Sequence, residues 1–322
     1  MPVLTGVWVS VALFLAGLVL IVKGGDWFLD GAVWMAEASG VPRFLIGATV
    51  VSLATTLPEL TVSLTGVLRG ARDLAVGNAV GSVAANLGLI LGIGVLWAPG
   101  TAARRQLAPR ALLMTAAAVC LAALCRGGEL AFPGWLALAA ILAAYLAGSI
   151  REARRGMEQR RQTMPQGRTV SRRRMVRELG LFALGAGAVA LGSRLLVTHG
   201  SRLALLLGVP AGVVGSTVVA VGTSLPELVT TLTAVARRET ALSVGNIVGA
   251  NIIDLALILP ACAAVSGGSL LIGPQTTGLD LPACLALCAA AVAPPLLTGR
   301  FHRWQGAALL GLYAGYLQLL LP

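Results

Sequence analysis

Charge is what this chain has least of. Only 11% of its 322 residues are Asp, Glu, Lys or Arg, against 57% hydrophobic, and the mean hydropathy is +0.86. Those values exclude an ordinary soluble domain. Histidine is scarce as well: His199 and His302 are isolated, so no catalytic or metal-binding pair can be built from them. The five cysteines (Cys120, Cys125, Cys262, Cys284, Cys288) lie in apolar segments without metal-ligand spacing and read as small hydrophobes in a core. The first apolar run, Val7 to Val22, lacks a basic flank before it and a small-residue cleavage site after it. It reads as a membrane helix and not a signal peptide. A net charge of +11 would suit nucleic acid, but the arginines are placed by topology, and no nucleic-acid partner is expected.

What is present is a succession of apolar runs of roughly 20 residues, each long enough to cross a bilayer. The pattern predicts an all-α integral membrane protein with ten transmembrane helices, at roughly 5–38, 43–69, 73–97, 107–126, 132–150, 178–207, 211–237, 242–266, 277–298 and 303–321. The first and sixth exceed one span and would have to tilt. The segment 151–177 carries ten arginines against Glu152 and Glu158, which predicts a cytoplasmic loop and places both termini outside a cell (inner) membrane. Anionic lipid headgroups are a second role for that segment.

An internal repeat organises the rest. Residues 47–91 laid on 215–259 match without a gap at 23 of 45 positions. The matches include Leu57-Pro58-Glu59 with Leu225-Pro226-Glu227, and Gly77-Asn78 with Gly245-Asn246. Five helices separate equivalent points, so the two halves, 1–150 and 178–322, insert with opposite orientation. That is the inverted-repeat plan of secondary transporters, with the site between repeats at mid-membrane depth. Proline has no N–H and clashes with the carbonyl four residues back, so each copy is expected to break its helix at Pro58 and Pro226 and free the carbonyls near Ala54 and Gly222. Discontinuous helices at an ion site are the predicted result.

Three acids lie deep in the repeats: Glu59, Glu227 and Asp254, with Asn86 the first-half equivalent of Asp254. A charge at mid-membrane costs at least ~2.5–3.5 kcal/mol, so it needs a partner. The nearest downstream bases, Arg69 and Arg237, are ten residues past each glutamate, roughly 15 Å away along a helix. The acids are therefore expected to bind cations or carry protons. Thr55, Thr56, Thr223 and Ser224 precede the prolines, and Ser52 and Ser82 lie near. Carboxylates, hydroxyls and freed carbonyls form an oxygen set suited to Ca2+ or Na+ and unsuited to zinc or copper.

Both copies resemble the two alpha repeats of the calcium/cation antiporter superfamily, whose best-known branch is the sodium/calcium exchangers. The resemblance is carried by Gly222-Thr-Ser-Leu-Pro-Glu227 and by Gly245-Asn-Ile-Val-Gly-Ala-Asn-Ile-Ile-Asp254, and it spans essentially the whole chain. It implies a Ca2+ site at Glu59 and Glu227 with the carbonyls of Thr55 and Thr223. It implies flanking Na+ sites drawing on Thr56, Ser82, Ser224 and the backbone at Ser52 and Ala220, and a central position lined by Asn86 and Asp254. It also implies that the first and sixth helices slide during alternating access. Ala54, Ser52 and Thr56 depart from the pattern, as does Ala250, where the family commonly has a serine; one sodium site would lose a side-chain oxygen there. The expected function is export of Ca2+ in exchange for Na+, with no cofactor and no enzyme activity. A proton-coupled Ca2+ exchanger is the alternative. A passive cation channel would also use acid-lined broken helices, but would not need two inverted halves. A membrane hydrolase would need a nucleophile–base pair or a metal cluster containing histidine.

Gly185-Ala186-Gly187-Ala188-Val189-Ala190 fits a loose dinucleotide fingerprint, but it lies in an apolar helix with no preceding strand and reads as close helix packing. Lys23, Asp26, Asp30 and Arg194, in the two long helices, are expected to pair or reach the interface, with gating as the alternative. Asp280 is placed at the outer end of the ninth helix with no role.

Overall fold

A computed structural model of the chain describes residues 2–70, 72–101, 103–125, 127–163, 171–207 and 224–320. Among them the chain forms ten helical rods. These are α1 (Pro2–Ser39), α2 (Arg43–Leu68), α3 (72–97), α4 (Arg104–Leu124), α5 (Phe132–Thr163), α6 (Arg172–Leu206), α7 (Leu225–Ala236), α8 (Thr240–Val265), α9 (Thr276–Thr298) and α10 (Arg303–Leu320). Eight are long and apolar enough to cross a membrane; α7 is a shorter apolar helix. The expected seventh helix began at residue 211, and its part before Ser224 lies outside the described residues.

Two differences from the sequence expectation have plain causes. First, α5 and α6 run on into the basic segment, so 151–163 and 172–177 are helical rather than loop. Arg, Glu, Gln and Met lose little rotamer freedom in a helix, so nothing there stops it at the membrane boundary. Second, α2 does not break at Pro58; it continues from Ser52 to Leu68 with the proline inside. The missing N–H still leaves the Ala54 carbonyl without its usual donor. The irregularity lies upstream, as a π turn over Gly47–Val51. Two more π turns open on Asn86 in α3 (Asn86–Leu91) and on Asp254 in α8 (Asp254–Ile258), at equivalent repeat positions. Such turns re-aim side chains and favour functional sites.

α3 and α8 form the centre: 78% and 83% of their apolar windows are buried, against 22% for α1, α5 and α6. α2 crosses α8 with backbone on backbone. A Cβ at Gly47 would collide with the Leu242 carbonyl oxygen, and one at Gly245 with that of Phe44. Gly40, at φ +78°, turns the chain from α1 toward α2, a left-handed conformation that glycine takes without strain.

The long helices α1 and α6 pack antiparallel along a glycine seam. A Cβ at Gly17 would lie 3.0 Å from the Gly192 carbonyl oxygen, and one at Gly24 3.0 Å from that of Gly185. The glycine-rich run of α6 thus serves close packing, as expected. All five cysteines are free, and all but Cys120 are fully buried.

The helix ends are tied in two groups. At one end Arg43 bridges Glu37 and Glu239, Thr101 pairs with Arg300, and Arg104 donates to the Leu296 and Leu297 carbonyls. Arg237, capping α7, takes both Asp26 and Asp30 of α1, so those two acids are paired. At the other end two short strands, β1 (Glu129–Leu130) and β2 (Leu270–Leu271), pair antiparallel, and Trp135 donates to the Gly268 carbonyl at 3.0 Å.

Candidate cation site

Ser52, Thr55, Thr56, Glu59 and Ser63 recur at helical spacing on α2 and are all buried, so an apolar helix turns one polar face inward. α7 answers with Glu227, Thr230 and Thr231, preceded by Ser224. α3 brings Asn78, Ser82 and Asn86, and α8 brings Asn246, Ala250, Asn251 and Asp254. Four of the ten rods, with Ser224 just ahead of α7, therefore hold every described residue of the predicted set. Thr223 and Ala220 lie outside the described residues.

Hydrogen bonds stitch the faces together in matched pairs. Asn78 Nδ2 donates to Ser63 Oγ at 2.9 Å, and its repeat mate Asn246 donates to Thr230 and Thr231 Oγ1 at 3.2 and 3.5 Å. Thr55 Oγ1 lies 3.4 Å from Asn246 Oδ1, and Thr56 Oγ1 donates to Glu227 Oε1 at 3.3 Å. The Ser82 and Ser224 hydroxyls are 3.5 Å apart, and Asn86 Nδ2 donates to Asn251 Oδ1 at 3.0 Å. Ser52 Oγ bonds the Thr49 carbonyl, 3.2 Å away. Ala250 is fully buried and supplies no side-chain oxygen.

Within this group of residues, five buried oxygens have no hydrogen-bond partner among the described residues: both of Glu59, Oε2 of Glu227, Oδ1 of Asp254 and Oδ1 of Asn86. Glu227 and Asp254 are the charged neighbours of Glu59, and Arg237 is already engaged by Asp26 and Asp30. Buried carboxylates without a base must meet a cation or hold a proton. No three His, Cys, Asp or Glu side chains cluster into a metal-holding group among the described residues. A cation between the two glutamates would therefore complete its shell with hydroxyl, amide and backbone oxygens.

Sequence reasoning gave no role to Asn78, Asn246, Asn251, Ser63, Thr230 or Thr231. The identity of Asn78 and Asn246 across the repeat was the available signal. Asn251 had none, because Val83 is its repeat mate. Asp280 was set aside at a helix end; it is buried in the π turn that opens α9 and accepts a bond from the Tyr316 hydroxyl at 3.1 Å.

Long apolar helices that gather unpaired carboxylates on oxygen-lined faces make a membrane transporter of cations. The chain belongs to the sodium/calcium exchanger family of cation antiporters: the sodium/calcium exchanger protein model matches residues 9–151 and 177–321. Sodium/calcium exchanger MaX1 of Methanosarcina acetivorans is 27% identical over 349 residues, covering 97% of this chain and 98% of that one. An inner membrane protein of Escherichia coli, YrbG, is 32% identical, with 81% of each chain covered. The structure of the sodium-calcium exchanger NCX_Mj soaked with 10 mM Na+ and 10 mM Sr2+ superposes with a TM-score of 0.82 at 27% identity, covering 97% of this chain and 98% of that chain.

Proposed function

We propose that the protein is an antiporter that exports Ca2+ in exchange for Na+ by alternating access. Glu59 and Glu227, with the Thr55 and Thr223 carbonyls, hold Ca2+. Thr56, Ser82, Ser224 and the backbone at Ser52 and Ala220 serve Na+, and Asn86, Ala250 and Asp254 surround the central position. The two cations exclude each other because they share the two glutamates. Each face can reopen only after the carboxylates have been neutralised. The α1–α6 pair, joined by its glycine seam, moves as a unit across the other helices.

The observation that carries this reading is that both carboxylate oxygens of Glu59 and Oε2 of Glu227 are buried on facing helices with no hydrogen-bond or ion-pair partner among the described residues. The architecture we propose is ten transmembrane helices in two inverted halves, in a cell (inner) membrane, with the 151–177 segment cytoplasmic and both termini outside. It is supported by the gapless repeat, the π turns that open on Asn86 and Asp254, and the matching amide–hydroxyl clamps of Asn78 and Asn246. Proton coupling is the second reading. It is favoured by Ala250, which leaves one sodium position short of a side-chain oxygen.

The test is radioactive calcium uptake into proteoliposomes loaded with Na+, beside vesicles given only an acid interior. Sodium-driven uptake that disappears in Glu227→Gln is the expected result. Uptake driven by the proton gradient alone transfers the coupling to H+. Uptake with neither gradient overturns antiport.

A further inference from the structure

We propose that Asn251 and Met114 fix which way the Asn86 amide is turned, so that it offers the cation site its oxygen and withholds its NH2 group. Asn251 is a positioning residue that acts through Asn86, and Met114 acts in turn through Asn251. The inference rests on the transport reading in one respect: it takes the central position beside Asn86 as a place where a cation sits.

A buried asparagine is ambivalent. One end of its amide accepts and the other donates, and the two are so alike in shape that packing alone does not choose between them. Beside a cation the choice matters, because the oxygen is a ligand and the NH2 group repels. An ionised carboxylate avoids the problem, having an oxygen at both ends. Asn86 therefore needs a fixed partner for its donor.

Three rods supply that partner as a chain of bonds with one direction. Asn86 Nδ2 on α3 donates to Asn251 Oδ1 on α8 at 3.0 Å, and Asn251 Nδ2 donates to Met114 Sδ on α4 at 3.5 Å. The chain ends on a thioether, which accepts weakly and has no hydrogen to give. Turning Asn86 over would require Asn251 to turn with it, and the Asn251 oxygen would then face a sulfur that cannot donate. Met114 and Asn251 are fully buried and Asn86 is 1% exposed, so bulk water does not relieve that mismatch. The atom left over is Asn86 Oδ1, buried and unpartnered like the oxygens of Glu59.

The repeat supplies an independent comparison. Val83 stands where the second half has Asn251, and it is buried and apolar. Asp254, the mate of Asn86, thus has no counterpart of the latch, and a carboxylate has no donor end to hide when ionised. The latch accompanies the amide and is missing beside the acid.

The experiment measures calcium uptake by the full-length protein in proteoliposomes, together with the rise in melting temperature that saturating Ca2+ produces in detergent. Asn251→Leu frees the Asn86 NH2 to turn toward the carboxylates and compete with the cation. It should raise KM for Ca2+ about 10- to 30-fold, with kcat within about threefold of wild type, and shrink the melting shift. Met114→Leu conserves core volume and removes only the terminal acceptor, so the two amide directions become nearly equal and KM should rise about two- to threefold. Ile247→Val, buried on α8 outside the chain of bonds, should lower the melting temperature and leave KM alone. In an Asn86→Asp background, where either end of the side chain is an oxygen, adding Asn251→Leu should move KM or the melting shift by less than about threefold. Unchanged KM in Met114→Leu and Asn251→Leu, or an equally large effect of Asn251→Leu in the Asn86→Asp background, overturns the latch. A wild-type protein without cation-driven uptake overturns the transport reading instead, and the latch is then decided by the melting shifts alone.

Discussion

Replacing Gly249 with alanine tests the crossing on which the site depends. The new Cβ would strike the Ala48 carbonyl oxygen first, and would lie 2.6 Å from Ser52 Oγ and 2.7 Å from the Ala48 carbonyl carbon. Ordinary contact with that backbone oxygen requires α2 and α8 to part by roughly 1 Å. Ser52 can rotate, but the Ala48 backbone cannot, and both residues are completely buried. Overpacking of this kind costs about 1–3 kcal/mol. Its functional cost should be larger in proportion, because the wedge sits one turn from Thr55 and two turns from Glu59. Separating α2 from α8 shifts those residues relative to Asp254, and misplacement on that scale can cut a rate by about tenfold or more. The assay pairs thermal unfolding of the purified protein with sodium-driven calcium uptake. Adding Ser52→Ala should restore only part of the loss, since it removes the hydroxyl clash and leaves the backbone one. A Gly249→Ala protein with wild-type melting and uptake would falsify the close crossing.

Two other substitutions probe packing and polar clamps. Gly185→Ala puts a Cβ 2.8 Å from the Phe28 Cα and should loosen the α1–α6 seam, whereas Gly187→Ala meets nothing and should be neutral or more stable by about 0.5–1 kcal/mol; equal melting of the two would refute the seam. Asn246→Ala strips the donor from Thr230 and Thr231 and the acceptor from Thr55, while Thr230 keeps the Pro226 and Glu227 carbonyls and Thr55 keeps that of Ser52, so the cost should be about 0.5–1.5 kcal/mol; an unchanged melting temperature would show that the clamp is dispensable.

Hydropathy and the repeat made much of this fold legible, and the acids stood out because a lone carboxylate in an apolar run has so few explanations. Other features lay beyond that reasoning. The π turns at Gly47, Asn86 and Asp254 leave no composition signal, because their residues suit an α-helix equally well. Pro58 misled: the clash that breaks an isolated helix was absorbed, and the deformation sits two turns upstream, where Gly47 lets α2 lie against α8. The helical extensions of α5 and α6 were hidden because arginine density marks a loop for topology yet is compatible with a helix. The pairing of Asn86 with Asn251 joins residues 165 apart in sequence that are not repeat mates, so only the packing of α3 on α8 brings it about.

The repeat is exact enough that its exceptions carry meaning, and the sharpest is Asn86 against Asp254. Both residues open a π turn and both are buried, yet one is an amide and the other an acid. With Glu59 and Glu227, Asp254 makes three potential negative charges at the site, whereas one Ca2+ brings two positive ones. An uncompensated buried charge costs several kcal/mol, so in the proposed site Asp254 is expected to hold a proton whenever Ca2+ alone binds the two glutamates. Asn86 shows a neutral amide at the equivalent place in the other half, where it donates to Asn251 at 3.0 Å; Val83, the repeat mate of Asn251, offers no such bond to residue 254. Asp254→Asn should therefore retain calcium exchange while losing whatever part of its pH dependence arises from that proton. Initial uptake rates measured across pH for both proteins give the answer. A folded Asp254→Asn protein that no longer moves calcium would make Asp254 a ligand of the transported ion, and the count of charges at the glutamates would have to be rebuilt around three anionic ligands rather than two.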